Sequence, residues 1–79
     1  MKVHIKYYAK YADYAGTRME DIETDIITLR DLLNIVRERH PKLKEDRRSL
    51  IAINDKFVGE EAQISDGATV SIFPPVSGG

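Results

Sequence analysis

The chain has 79 residues, with 12 Lys and Arg against 13 Asp and Glu, a formal net charge of −1 and no cysteine. That length holds one small domain, which buries only about 60–65% of the surface its unfolded chain exposes. Disulfides, thiolate–metal sites and a thiol nucleophile are excluded, and no concentrated basic face exists for nucleic acid. His4 and His40 are the only imidazoles, and no ligand-like spacing of carboxylates accompanies them. No apolar run approaches the roughly 18 residues of a membrane span, and the N-terminus lacks a signal peptide's apolar core. A soluble cytoplasmic protein without nucleic-acid or membrane partners is the expectation.

Residues 2–8 alternate, with Val3, Ile5 and Tyr7 on one face and Lys2, His4, Lys6 and Tyr8 on the other. That period of two reads as a half-buried strand. All four tyrosines fall between Tyr7 and Tyr14, and Gly16 follows at a turn. A second, weakly patterned strand covers Arg18–Thr24. Leu29, Leu32, Leu33 and Val36 then form the stripe of an amphipathic helix. Thr28 stands at its N-cap and Asp31 at its N3 position. Arg37, Arg39 and His40 occupy the last turn, where positive charge suits the helix dipole, and Pro41 ends the helix. Lys42, Lys44, Arg47 and Arg48, interrupted by Glu45 and Asp46, read as a solvated loop.

Leu50–Ile53 is a short apolar run expected to be a well-buried strand. Asn54-Asp55-Lys56 turns the chain into a short return strand at Phe57-Val58. Ser65-Asp66-Gly67 marks another turn, and Thr69–Phe73 alternates again, with Val70 and Ile72 on one face and Ser71 and Phe73 on the other. A single helix must lay its stripe across a single sheet. The closed solution places the first and last strands together at the centre, which is an α+β, β-grasp (ubiquitin-like) fold. Its expected core is Val3, Ile5, Tyr7, Leu29, Leu32, Leu33, Val36, Ile53, Val70 and Ile72. Residues 1–73 form the domain and residues 74–79 an extended tail.

Self-contained catalysis finds no support. The five glycines never fall in a phosphate-loop spacing, and none of Ser49, Ser65, Ser71 and Ser77 lies in a nucleophile elbow. Glu60-Glu61 sits beside a turn, and one helix on one sheet leaves little volume for a cleft.

The C-terminus differs. Pro74 and Pro75 offer no N–H to a ladder and favour polyproline II, so sheet pairing stops at Phe73. The six residues from Pro74 to Gly79 span about 20 Å at full extension. Gly78 and Gly79 lack Cβ atoms and can thread a narrow channel, leaving the terminal carboxylate unhindered. That carboxylate, with an unperturbed pKa of about 3.3–3.7, is ionised at neutral pH. It can attack the α-phosphate of ATP where another protein supplies the nucleotide site.

The ending Ser71-Ile72-Phe73-Pro74-Pro75-Val76-Ser77-Gly78-Gly79 closely resembles that of the MoaD/ThiS family, in particular the small sulfur-carrier subunits of molybdopterin synthase. Tyr8-Ala9, Gly16, Ala52-Ile53-Asn54 and Asp66-Gly67 are supporting matches across the chain. One departure is Ala12-Asp13, where the family often has an Arg-Glu pair. The resemblance implies a non-catalytic sulfur carrier that binds no cofactor itself. An adenylyltransferase related to ubiquitin-activating enzymes would use ATP to adenylate the Gly79 carboxylate, and a persulfide donor would convert it to a thiocarboxylate. The tail, Pro74, Pro75, Val76, Ser77, Gly78 and Gly79, would then enter the large (MoaE-like) synthase subunit of a heterotetramer. There it would give sulfur to cyclic pyranopterin monophosphate, forming molybdopterin. Tyr8 and Phe73, on the open face of the sheet, are the expected docking residues. Two alternatives remain open at this stage. One is a diglycine protein serving thiamin synthesis, tRNA thiolation or protein modification, and the other is a β-grasp interaction module with an inert tail.

Overall fold

The computed structural model describes residues 1–26, 28–45 and 49–75. Arg47, Arg48 and the tail residues Val76, Ser77, Gly78 and Gly79 lie outside them. The elements run β1 (Lys2–Tyr7), α1 (Lys10–Ala15), β2 (Met19–Glu23), α2 (Leu29–Arg39), α3 (Pro41–Lys44), β3 (Leu50–Ile53), β4 (Lys56–Phe57) and β5 (Thr69–Phe73). The strands make one mixed sheet in the order β2-β1-β5-β3-β4. β1 and β5 pair in parallel at its centre and the other pairs are antiparallel. This is the β-grasp that the alternation and the single long stripe predict.

Register fixes the two faces. Ile5 pairs with Val70 and Tyr7 with Ile72, while Ile51 pairs with Ile72 and Ile53 with Val70. All of these point to the side covered by α2, whose Leu29, Leu32, Leu33 and Val36 are buried. Each such side chain contributes about 1.5–3 kcal/mol of transfer free energy before ordering costs. The Asp31 N–H donates to Thr28 Oγ1 at 3.4 Å, so Thr28 is the N-cap. Turn chemistry pins the sheet edges. Asn54 and Asp55 both have positive φ, as a two-residue type I′ hairpin requires, and their turn joins β3 to β4.

The structure corrects the expected order at two points, and the expected core as well. Two short helices flank the long one. α1 takes up part of the tyrosine run, burying Tyr11, and ends on Gly16 in the left-handed region. α3 replaces the expected loop from its first residue. Pro41, which stops α2 through its effect on His40, is itself the N1 residue of α3, where a proline's missing N–H costs nothing. Leu43 of α3 enters the core. The core also takes Tyr11, Ile22, Ile51, Ile64 and Ala68, whereas Ile53 is only partly buried at its margin. Leu50, expected inside, is 42% exposed because the pleat turns it to the open face.

Ala9 carries the one strained backbone of the β1–α1 junction, with φ 52° and ψ −132°. The Tyr11 N–H donates to the Tyr8 carbonyl at 3.1 Å, so Ala9 occupies the first central position of a type II′ turn, a glycine position. Ala9→Gly is expected to raise stability by about 1 kcal/mol, since relief of the strain outweighs the added unfolded-state entropy. The check is a higher urea midpoint at unchanged slope. A lower midpoint would show that the alanine is unstrained there.

Candidate functional site

The open face of the sheet divides into two halves. At the end where β1 begins it is polar. His4 Nδ1 lies 2.6 Å from Asp21 Oδ1, and the Lys2 N–H donates to Asp66 Oδ1 at 2.8 Å. At the opposite end, where β5 leaves the sheet, it is aromatic. The Tyr8 ring stacks on Phe73 at 4.3 Å between centroids and 19° between planes. Phe73 in turn meets Phe57 at 5.8 Å in a tilted pair. Leu50 pairs with Phe73 across the ladder, and Phe57 pairs with Ala52 on the same face.

An apolar strip thus crosses the sheet from Met19 on β2, through Tyr8 and Phe73, to Leu50 and Phe57. Four of the five members are exposed, Phe57 most of all at 70%. Large apolar side chains gathered on one face of a domain of 79 residues make it a candidate interaction face. Phe73 is half-buried because its neighbours flank it on both sides. Ser71, expected open beside it, is 6% exposed and buried in the same face.

The tail root joins this strip directly. β5 ends at Phe73, and Pro74 and Pro75 follow outside the ladder, both half-buried. The Tyr8 N–H donates to the Ile72 carbonyl at 3.1 Å, which ties the last ladder position of β5 to the aromatic side of the site. Of the residues read from the sequence, Tyr8, Phe73, Pro74 and Pro75 therefore come together, while Val76, Ser77, Gly78 and Gly79 fall outside the described residues. Met19, Leu50 and Phe57 were missed. Their signal was the pairing register, since Phe57 and Leu50 join the open face only once β3 is aligned with β4 and β5.

Comparison with known proteins places this arrangement. Residues 5–79 match the model of the ThiS family. The chain belongs to the ThiS family. It is 31% identical over 83 aligned positions to the molybdopterin synthase sulfur carrier subunit of Chlamydomonas reinhardtii, covering all of both chains. A putative molybdopterin converting factor subunit 1 from Pyrococcus furiosus superposes with a TM-score of 0.86 at 35% identity, over 96% of this chain and 99% of that one. The small archaeal modifier protein 1 from Methanosarcina acetivorans superposes at 0.83 with 26% identity, over 99% of this chain and 96% of that one.

In this ThiS-family chain the strip is held from behind by a polar latch on the helix side. The Tyr7 hydroxyl donates to Glu20 Oε1 at 2.6 Å, and His40 Nε2 lies 3.0 Å from the same oxygen. The Tyr7 and His40 rings meet edge-on at 5.5 Å. β1, β2 and the C-terminus of α2 are thereby joined one residue from Tyr8. His40 acts as a structural partner, and its own N–H also closes α2 onto the Val36 carbonyl at 3.0 Å.

Burial alone would raise the Glu20 carboxyl, but the hydrogen bonds from Tyr7 and His40 outweigh it and hold the group below its ordinary 4.5. Burial, reinforced by the bond to Glu20, pushes the Tyr7 hydroxyl well above its usual value. A depressed carboxylate contributes stability that is present above its unfolded pKa and lost as pH falls through the folded one. A raised phenol contributes fully below its unfolded pKa of about 10 and loses that contribution above it. The Glu20 contribution is therefore complete above about pH 5 and declines below about 4.5, and the Tyr7 contribution is complete below about pH 9. Glu20→Gln is expected to cost about 1–3 kcal/mol at neutral pH and to make the acid decline shallower. Thermal melts of both proteins from pH 7 to pH 3 are the check, and parallel acid limbs would exclude Glu20 as a source of the decline.

Proposed function

We propose that this chain is the sulfur carrier of a molybdopterin synthase, working through its terminal carboxylate and docking by its aromatic strip. The observation that carries the reading is the convergence at Phe73. There a central strand ends, two prolines lead a diglycine tail away from the ladder, and an exposed apolar strip begins. The relatives named as molybdopterin synthase sulfur carrier subunits support the cargo, and their designation as subunits supports a larger partner.

The chemistry follows from one group. An oxygen of the Gly79 carboxylate attacks the α-phosphorus of ATP in an adenylyltransferase related to ubiquitin-activating enzymes. Pyrophosphate leaves and an acyl-adenylate forms. The terminal sulfur of a persulfide attacks the acyl carbon, the bond to AMP breaks, and a thiol reductant then cleaves the S–S bond to leave a thiocarboxylate. The acyl carbon holds the sulfur as a nucleophile until the tail enters the large (MoaE-like) subunit. There cyclic pyranopterin monophosphate receives it and the carboxylate is regenerated. The carrier needs no cysteine and supplies no general acid or base. In the assembly, a heterotetramer, Tyr8 and Phe73 anchor the domain while the six tail residues, about 20 Å fully extended, reach the active site.

A second reading, covalent attachment of the Gly79 carboxylate to lysines of other proteins, is favoured by the similarity to a small archaeal modifier protein. The same acyl-adenylate serves both outcomes. Intact mass of the protein purified from its own host separates them. A C-terminal oxygen replaced by sulfur is the expected result for a carrier, and isopeptide-linked adducts on other proteins would favour the modifier. Neither product, with the activating enzyme present, would overturn both.

Deleting Gly79 is expected to abolish sulfur delivery in a reconstituted synthase assay while leaving the melting curve unchanged, and full activity after truncation would refute the mechanism. Phe73→Ala, which empties the centre of the strip, is expected to weaken binding to the large subunit by about 30-fold, the scale of an interface hot spot. Calorimetry showing wild-type affinity would remove the strip as the docking face.

A further inference from the structure

The strip has unlike ends. Its β4 end opens on a groove lined by Leu50, Phe57 and Val58, where Glu60 Oε1 lies 4.0 Å from Arg30 Nε. Its β2 end opens on a recess of about 460 Å³ between the end of β1 and the start of β2. Tyr8, Ala9 and Met19 line it with apolar surface, and Lys6, Arg18 and Asp13 bring charge to it. That leaves one net positive charge in a recess that shares the Tyr8 ring with the strip.

Among the described residues the two cations have no ion-pair partner. Lys6 stands opposite Met19 on one side and Ser71 on the other, neither of which carries charge. The next polar residues along the same face, His4 and Asp21, are 2.6 Å apart and engage one another. Arg18 lies just before β2, and among the described residues neither it nor Lys6 enters an ion pair. Asp13 sits on the exposed side of α1 and forms none with them either. Lys6 is half-buried and lines the recess together with Tyr8 and Met19, the setting in which a lysine stem covers apolar surface while its head stays hydrated.

Strain adds to the picture. Ala9, with its positive φ, joins β1 to α1 and lines the recess beside Tyr8. Costly backbone conformations persist where surrounding structure needs them, and they gather at binding surfaces.

We propose that this recess receives an acidic side chain of the protein that docks on the aromatic strip, with Lys6 and Arg18 as its ion-pair partners. The inference rests on the docking reading above and adds to it the chemistry of the partner. An aromatic strip alone is nearly symmetric end to end and would let a partner seat in either sense. A cationic recess at one end only, on the far side of β1 from the strand that leads into the tail, fixes the sense in which the partner seats and so the direction of the tail root. Ion pairs at the rim of an interface govern orientation and association rate more than total affinity.

The test uses the full-length chain and the purified large subunit of molybdopterin synthase from the same organism. Affinity is measured by calorimetry in about 0.1 M and about 1 M salt, where charges act over about 10 Å and 3 Å respectively. Wild type is expected to bind more weakly at high salt. Lys6→Glu/Arg18→Glu is expected to bind about tenfold more weakly at low salt and to reverse the trend, because salt then screens a repulsion. Lys6→Gln/Arg18→Gln should bind with little dependence on salt, and it keeps the test available if the doubly reversed protein fails to fold. Phe73→Ala should weaken binding at both salt concentrations and keep the wild-type trend. Wild-type affinity and trend in both recess variants, with Phe73→Ala impaired, would overturn the recess and leave the docking face standing. Loss of binding in the recess variants with Phe73→Ala unaffected would overturn the strip and leave the recess as the docking determinant.

Discussion

The parallel pairing of β1 with β5 is the constraint on which the other features depend. It joins residues near the two ends of the chain at the centre of the sheet, with Ile5 beside Val70 and Tyr7 beside Ile72. Parallel strands cannot be linked by a hairpin, so everything between them must cross over and return. α2 serves that crossover and lays its leucine stripe on the face the pairing has made apolar. The same register sends Lys6, Tyr8, Ser71 and Phe73 to the other face. Because both strands run the same way, Tyr8 and Phe73 finish side by side, and the tail leaves from the place where the aromatic rings gather. The core and the candidate site are opposite sides of one ladder.

Much of this was legible in the residues because it rests on period. The alternation in Val3, Ile5 and Tyr7, that in Val70 and Ile72, and the spacing of Leu29, Leu32, Leu33 and Val36 each specify one face. Together they fix a helix on a sheet. The short helices had no comparable signal. α1 is six residues long and α3 four, so neither completes enough turns for an apolar period to show. α1 moreover begins at a left-handed residue that is not glycine, where local propensity points away from a turn. The burial of Tyr11 and Leu43 is decided by tertiary packing against the long helix and sheet. Leu50 shows the converse limit. An apolar run of four reads as wholly buried, but the pleat still alternates, and its first residue went to the open face.

The site was half legible for a related reason. Pro74, Pro75 and the two terminal glycines carry their chemistry in covalent structure, and no fold is needed to read it. Tyr8 and Phe73 could be placed on the open face by parity alone. Met19, Leu50 and Phe57 could not, because their membership depends on which strands are neighbours and in what register. The Tyr7–Glu20–His40 latch was invisible on the same grounds. Glu20 belongs to a weakly patterned strand, and only the pairing of Ile5 with Glu20 brings its carboxylate under the Tyr7 hydroxyl.

An exposed aromatic strip on a small sheet invites the domain to pair with copies of itself, and the two edges show how that is limited. β2, at one edge, carries Glu20, Asp21 and Glu23 in a run of five residues, so a second copy approaching edge to edge meets like charge. β4, at the other edge, is two residues long and offers almost no ladder to extend. With the edges closed to strand addition, the strip can be met only face-on. A partner must then supply a complementary apolar surface rather than a strand. β5 is paired on both sides, by β1 and β3, so the place from which Pro74 and Pro75 lead the chain away is set by the centre of the sheet and not by its edges. The edges thus limit self-association, while the centre of the sheet sets where the strip and the tail root meet.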